Sequence, residues 1–199
     1  MTEAAGATPL GRRILVIGEV NTGKTTQCRR WLEELCHQGL GQRIALIDMA
    51  PTIPPDLAKA RGLRGVGGEL RPPPDSGVLD LRAHLVPPRL SSSSDAEALD
   101  KATRNAGIID ALIAALRPER DILFINDVTL FLQTRCAASL IDAADFKRRT
   151  TLIVNGYRGE RLGGGELTRH ETAEMAELVR TFAATGEILH LTQRYDTQH

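Results

Sequence analysis

The chain has little with which to build disulfides. Cys28, Cys36 and Cys136 are its three cysteines, an odd number with no C-x-x-C pair. Cys28 and Cys36 fall on one predicted helix, too far apart along it to bridge. All three read as reduced thiols, which fits a cytoplasmic protein. An excess of charge of one sign is also missing: Lys plus Arg and Asp plus Glu number 25 each, for a formal net charge of zero. No overall field therefore draws the chain to nucleic acid or to an anionic membrane. One local basic cluster, Lys147, Arg148, Arg149, Arg158 and Arg161, reads as a solvated face. No apolar run reaches the length of a membrane span. Met1 to Gly11 is small and polar, without the apolar stretch of a signal peptide. The five histidines (His37, His84, His170, His190, His199) show no metal-ligand spacing. There is no internal repeat.

Against these absences stands one dense signal. Gly18-Glu19-Val20-Asn21-Thr22-Gly23-Lys24-Thr25 fits the phosphate-binding pattern G-x-x-x-x-G-K-[ST] at every fixed position. An apolar, β-branched run, Ile14 to Ile17, precedes it as a strand, and Thr26 to Cys36 follows with helical spacing. Gly18 and Gly23 let the backbone turn and approach a phosphate without a Cβ in the way. Successive loop N–H groups and the helix N-terminus, through Thr26, would face the anion. Lys24 would reach the β- and γ-phosphates, and the Thr25 hydroxyl would hold Mg²⁺. A loop that binds nucleotide without hydrolysing it carries the same motif.

The length suits one domain: a flexible lead-in over 1–11, then a single unit over 12–199. Strands are expected at Arg13–Ile17, Arg43–Asp48, Asp121–Ile125, Thr151–Val154 and Glu187–Leu191. Helices are expected at 24–37, 95–116, 137–146 and 168–184. Capping-box pairs, Ser94 with Glu97 and Thr168 with Glu171, open two of them. Residues 49–94 are rich in Pro and Gly and read as an insertion over the nucleotide side of the sheet, with short strands or a hairpin in 78–86. Strands alternating with helices predict an α/β, doubly wound, mainly parallel sheet.

Such sheets bind ligands at the carboxyl ends of their strands, which selects Asp48, Asn126-Asp127 and Asn155. An acid at the end of Ile122–Ile125 would hold the Mg²⁺ hydration shell. Either Asn126 fills that role or Asp127 reaches it, and an ionised carboxylate suits Mg²⁺ better than an amide. Asp127 is otherwise a turn cap. Asp48, on a strand expected beside the phosphate loop, would order a water, act as a base or meet Mg²⁺; otherwise it is a turn residue before Pro51. Asn155 would touch the base, or is the turn residue of an Asn-Gly pair. The guanine-reading N-K-x-D pattern is absent, which tilts the reading toward ATP over GTP. Arg158, Arg161 and Arg169, by the glycine-rich 159–165 stretch, are solvated or close over the γ-phosphate.

Ile14–Thr26 with Arg43–Pro55 resembles the start of the P-loop kinases that phosphorylate 5′-hydroxyl ends of RNA, in the SIMIBI branch of P-loop NTPases. The matching positions after the loop are Asp48 and the Pro54-Pro55 pair. The likeness covers about the first quarter of the chain. It implies phosphate and Mg²⁺ roles for Lys24 and Thr25, and a Mg²⁺ or base role for Asp48. It also allows a homodimer or protein partner, with a nucleic-acid end as substrate only if the chain is a kinase. The expectation is a Mg²⁺-dependent P-loop NTPase, an ATP-hydrolysing switch. A phosphotransferase and a non-hydrolysing module that supports a partner complex are the alternatives.

Overall fold

The computed structural model describes residues 8–53, Asp56, 68–159 and 165–192. Residues 1–7, Pro54-Pro55, 57–67, the 160–164 stretch with Arg161, and 193–199 lie outside the described residues. The strands are β1 (Arg13–Gly18), β2 (Ile44–Asp48), β3 (Leu79–Arg82), β4 (Ile122–Asn126), β5 (Thr151–Tyr157) and β6 (Glu187–Leu191). They form a six-stranded, all-parallel sheet in the order β3-β2-β4-β5-β1-β6. The helices are α1 (Lys24–His37), α2 (Pro88–Ser91), α3 (Asp95–Ala114), α4 (Thr129–Leu132), α5 (Ala137–Ala143) and α6 (Glu166–Thr185).

The apolar runs of β2 and β4 are buried at every position, because both sheet faces are covered. Alternate residues serve opposite cores. Leu46, Phe124 and Ile153 pack with Trp31, Leu32 and Leu35 of α1. Ala45, Ile47, Leu123, Ile125 and Val154 pack with Ile109 of α3, Leu140 of α5, and Met175, Leu178 and Phe182 of α6. This is a doubly wound α/β fold. Truncating a fully buried Phe124 to Ala would cost about 3–5 kcal/mol.

Helix α1 buries Cys28, Trp31, Leu32 and Leu35, one face at i, i+3, i+4 and i+7. It ends where Gly39, at φ +78°, lets Leu40 N–H reach Leu35 O and Gly39 N–H reach Cys36 O. Helix α3 begins as its sequence indicates: Glu97 N–H donates to Ser94 Oγ at 3.2 Å, and the Glu97 carboxylate accepts from Ser93 N–H at 2.8 Å.

Four expectations change. Leu79–Arg82 is a short strand, one of the two forms expected for 78–86, but it pairs in parallel with β2 within the sheet instead of lying over it. β5 runs through Asn155-Gly156 to Tyr157 instead of turning at Asn-Gly, because Val16, Ile17 and Gly18 continue the ladder opposite those residues. Thr168 does not open α6; Gly165 is the N-cap and Glu171 is buried within the helix. Arg149 belongs to no solvated face: it is 6% exposed and donates to Ala144 O at 3.0 Å and Arg120 O at 2.7 Å.

Candidate functional site

Gly18–Thr25 links the carboxyl end of β1 to the N-terminus of α1, the geometry that the motif requires. Gly23 stands at the helix N-cap at φ +87°, a left-handed conformation that a side chain would strain. Asn21 is also left-handed, at φ +59°. Thr22 is buried and locks the turn, its Oγ1 donating to Glu19 O at 2.9 Å. Helix α1 has no side-chain cap and no acid in its first turn. Among the described residues its leading N–H groups therefore have no intrahelical or side-chain acceptor, which suits an anion. Asn21 and Thr26 are exposed, while Glu19, Val20, Gly23, Lys24 and Thr25 are half-buried.

The Lys24 ammonium folds onto its own loop, donating to Gly18 O at 3.0 Å and to Glu19 O. Burial pulls its pKa below the ordinary lysine value, against the attraction of Asp127 and Glu19. A partly desolvated cation held by neutral carbonyls fits a phosphate better than an ordinary surface lysine does. The residues present thus fit a nucleotide's phosphates, and the Thr25 hydroxyl is the group that would meet an accompanying Mg²⁺.

Thr25 leads into a row of buried amides. Its Oγ1 donates to Asn126 Oδ1 at 3.4 Å, and Asn155 Nδ2 donates to the same oxygen at 2.7 Å. Asn126 Nδ2 donates to Asp48 Oδ1 at 2.7 Å and to Gly68 O at 3.0 Å. Asn155 Oδ1 accepts from Asp127 N–H at 3.1 Å, and Asn155 Nδ2 also reaches Cys28 Sγ at 3.4 Å. The row ties the ends of β2, β4 and β5 to α1. Every polar atom of both asparagines is engaged, as burial at 0% and 2% exposure demands. Asn155 is therefore an internal bridge with no amide edge left for a nucleotide base. Burial pushes the Cys28 thiol up to about 12, so it is an inert neighbour.

Asp48 does not lie beside the phosphate loop, because β4 and β5 separate β2 from β1. It joins the row through Asn126. Its Oδ1 also accepts from Ala50 N–H at 3.1 Å, and its Oδ2 accepts from Leu70 N–H at 3.0 Å and Arg82 Nη1 at 3.2 Å. Burial raises its pKa against these bonds. With both oxygens engaged twice, Asp48 organises the chain around it.

Asp127 differs. It is left-handed, at φ +56°. Its carboxylate accepts from the Thr129 hydroxyl. Its residue is half-buried. Burial raises its pKa, while Thr129, Lys24 and Arg89 lower it. Among the described residues no group of three or more His, Cys, Asp or Glu could by itself hold a metal ion. Arg158 and Arg169 are exposed.

From the sequence Glu171 reads only as a capping-box residue, and Arg89 and Gln133 are not selected. Arg89 Nη2 donates to Glu171 Oε2 at 2.6 Å, and Gln133 Nε2 donates to the same oxygen at 3.2 Å. The available clue to Arg89 was Pro87-Pro88 before it, a helix-start signal.

No protein-family profile matches the sequence, and neither does any curated protein sequence. Among solved structures, the fold resembles a prototypical ATPase from the type III secretion system of pathogenic bacteria, at 13% identity and a TM-score of 0.31, over 96% of this chain. The chain spans 47% of the length of that structure. Among the described residues no helix is long and apolar enough to cross a membrane.

Proposed function

We propose that the chain is a Mg²⁺-dependent P-loop protein that binds ATP in preference to GTP, hydrolyses it slowly, and uses the cycle as a molecular switch in the cytoplasm. The convergence of the uncapped α1 N-terminus, Lys24, Thr25 and Asp127 at the carboxyl edge of the sheet carries this reading. Gly18–Thr26 would cradle the phosphates, and Lys24 would leave its loop carbonyls for the β- and γ-oxygens. Mg²⁺, when bound, neutralises charge on the phosphates. Thr25 offers it a hydroxyl. Asp127 would order the waters around it, since among the described residues its carboxylate accepts one hydrogen bond where Asp48 accepts four.

The amide of Asn126 at the position of a Mg²⁺-ordering acid favours slow turnover, and it supports a second reading as a non-hydrolysing module that steadies a partner complex. A SIMIBI-type 5′-hydroxyl kinase would need Asp48 as its base, and the engagement of both Asp48 oxygens disfavours that role.

The test is ATP and GTP turnover by the purified protein with and without Mg²⁺, with affinity measured on the same sample, beside Lys24→Ala. We expect Mg²⁺-dependent ATP turnover that Lys24→Ala abolishes, with binding weakened about 30-fold or more, as for loss of a charged hydrogen bond. Tight, Lys24-dependent binding without turnover would select the module. Undiminished binding in Lys24→Ala would place the site elsewhere.

A further inference from the structure

Glu171 draws three separate pieces of chain together at the carboxyl edge of the sheet. Helix α6 follows β5 and leads back to the parallel β6, so its first turns lie at the same edge as the phosphate loop. Helix α2 follows β3 at that edge, and Gln133 caps the α4 turn that starts just after Asp127. Glu171 and Gln133 are each 4% exposed. The Arg89 guanidinium spends one arm on Glu171, yet its buried Nε has no hydrogen-bond partner among the described residues, and neither has Gln133 Oε1. A buried guanidinium N–H without an acceptor is costly, and here its cation also acts on the Asp127 carboxylate beside Lys24.

We propose that Arg89 reads the terminal phosphate of the bound nucleotide, and that Glu171 with Gln133 holds Arg89 when that phosphate is absent. The inference rests on the reading of this edge of the sheet as an ATP site. A guanidinium matches phosphate oxygens bidentately, and a γ-phosphate offers more charge and more acceptors than one carboxylate. Transfer of Arg89 to the phosphate gives its orphaned Nε–H an acceptor. It also uncouples α2 from α6 while Gln133 still donates to Glu171. A nucleoside diphosphate has no group at that position and leaves Arg89 on Glu171. The result is a local electrostatic exchange with a mechanical consequence, the release of α2 from Glu171 of α6.

The experiment measures equilibrium binding of a slowly hydrolysed ATP analogue and of ADP, both with Mg²⁺. The proteins are wild type, Lys24→Ala, Arg89→Ala, Arg89→Lys and Glu171→Gln, each first checked for cooperative thermal unfolding. Arg89→Ala is expected to weaken the triphosphate about tenfold while ADP stays within about twofold; Arg89→Lys, which keeps charge without the fork, falls between. Glu171→Gln should tighten the triphosphate severalfold and leave ADP unchanged, because it frees Arg89. A purely structural pair would weaken both nucleotides alike in Arg89→Ala and would give no tightening in Glu171→Gln; either result overturns the proposal. Lys24-dependent binding with the triphosphate preference intact in both Arg89 variants removes this inference alone. If wild type binds neither nucleotide, the ATP-site reading fails and takes this inference with it.

Discussion

Asn126 donates its side-chain amide to Asp48 at 2.7 Å, joining the ends of β4 and β2 behind the phosphate loop. The pairing explains why the residue is an amide. Its nitrogen meets two acceptors, Asp48 and Gly68 O, while its oxygen meets two donors, Thr25 and Asn155. A carboxylate would satisfy only the second pair.

Asn126→Asp, the change that would restore an acid there, should therefore destabilise the protein. Two buried carboxylates would face each other at hydrogen-bond distance, at a cost of about 3 kcal/mol at pH 8. The pair would share a proton, raising one folded-state pKa above its unfolded value. Stability linked to that proton is present at low pH and lost as pH rises. Urea unfolding at pH 8 and pH 5 should show the penalty shrinking toward pH 5. An equal penalty at both would mean that the carboxylates do not meet.

Gly156 makes a second, independent prediction. A Cβ there would stand 2.7 Å from Met175 Cε and 2.8 Å from Val128 Cγ1. Gly156→Ala should lose about 1–3 kcal/mol through overpacking. Because the nearest atom is the tip of a flexible side chain, Gly156→Ala combined with Met175→Ala should cost less than the sum of the two single changes. Simple additivity in denaturant melts would show that the two sites do not touch.

How much of this was legible in the sequence follows from locality. The strand–loop–helix of Ile14–Cys36, the continuous apolar runs of the central strands and the Ser94 cap depend on near neighbours, and each is where its sequence indicates. Strand order depends on contacts far apart in sequence. Nothing near Asp48 could show that two strands separate it from the phosphate loop, or that Asn126 bridges the gap. Glu171 misled for a related reason: its spacing from Thr168 satisfies a capping rule, yet its partner is Arg89, 82 positions away. Asn155-Gly156 has the chemistry of a turn, and the ladder with β1 overrides it.

The amino ends of the strands supply a pH prediction. Arg43 donates to Asp121 through Nε at 2.9 Å and Nη2 at 2.6 Å, and Thr150 donates to the same carboxylate at 2.5 Å. With Arg43 as the main cause, the Asp121 pKa falls to about 2 from an ordinary value of 3.8. A depressed carboxylate contributes stability above its unfolded pKa, and that contribution drains away as pH falls from about 4 to about 2. The pair is partly exposed, so solvent screens it and Asp121→Asn should cost no more than about 1 kcal/mol at pH 7. Its unfolding midpoint should converge on that of wild type near pH 2. A gap that persists at pH 2 would trace to the Thr150 hydrogen bond instead.

Asp127 allows function and stability to be separated. Its backbone is left-handed, which costs a non-glycine residue of order 1 kcal/mol, and burial raises the pKa of its carboxylate. Both features oppose folding at neutral pH: a carboxylate whose folded pKa is raised penalises its ionised form. Asn tolerates the left-handed region and keeps an acceptor for Thr129, but it carries no charge. Asp127→Asn should therefore fold at least as stably as wild type at pH 7, by thermal and urea unfolding. Its Mg²⁺-dependent turnover should fall about 100-fold, the scale of a lost acid–base or water-ordering group. Asp127→Gly relieves the strain but leaves the buried Thr129 hydroxyl without this acceptor, so it should be no more stable than Asp127→Asn, with turnover equally low. Turnover unchanged in both variants would remove Asp127 from the chemistry. Strong destabilisation in both would mean that the carboxylate serves the fold, with Thr129 as its purpose.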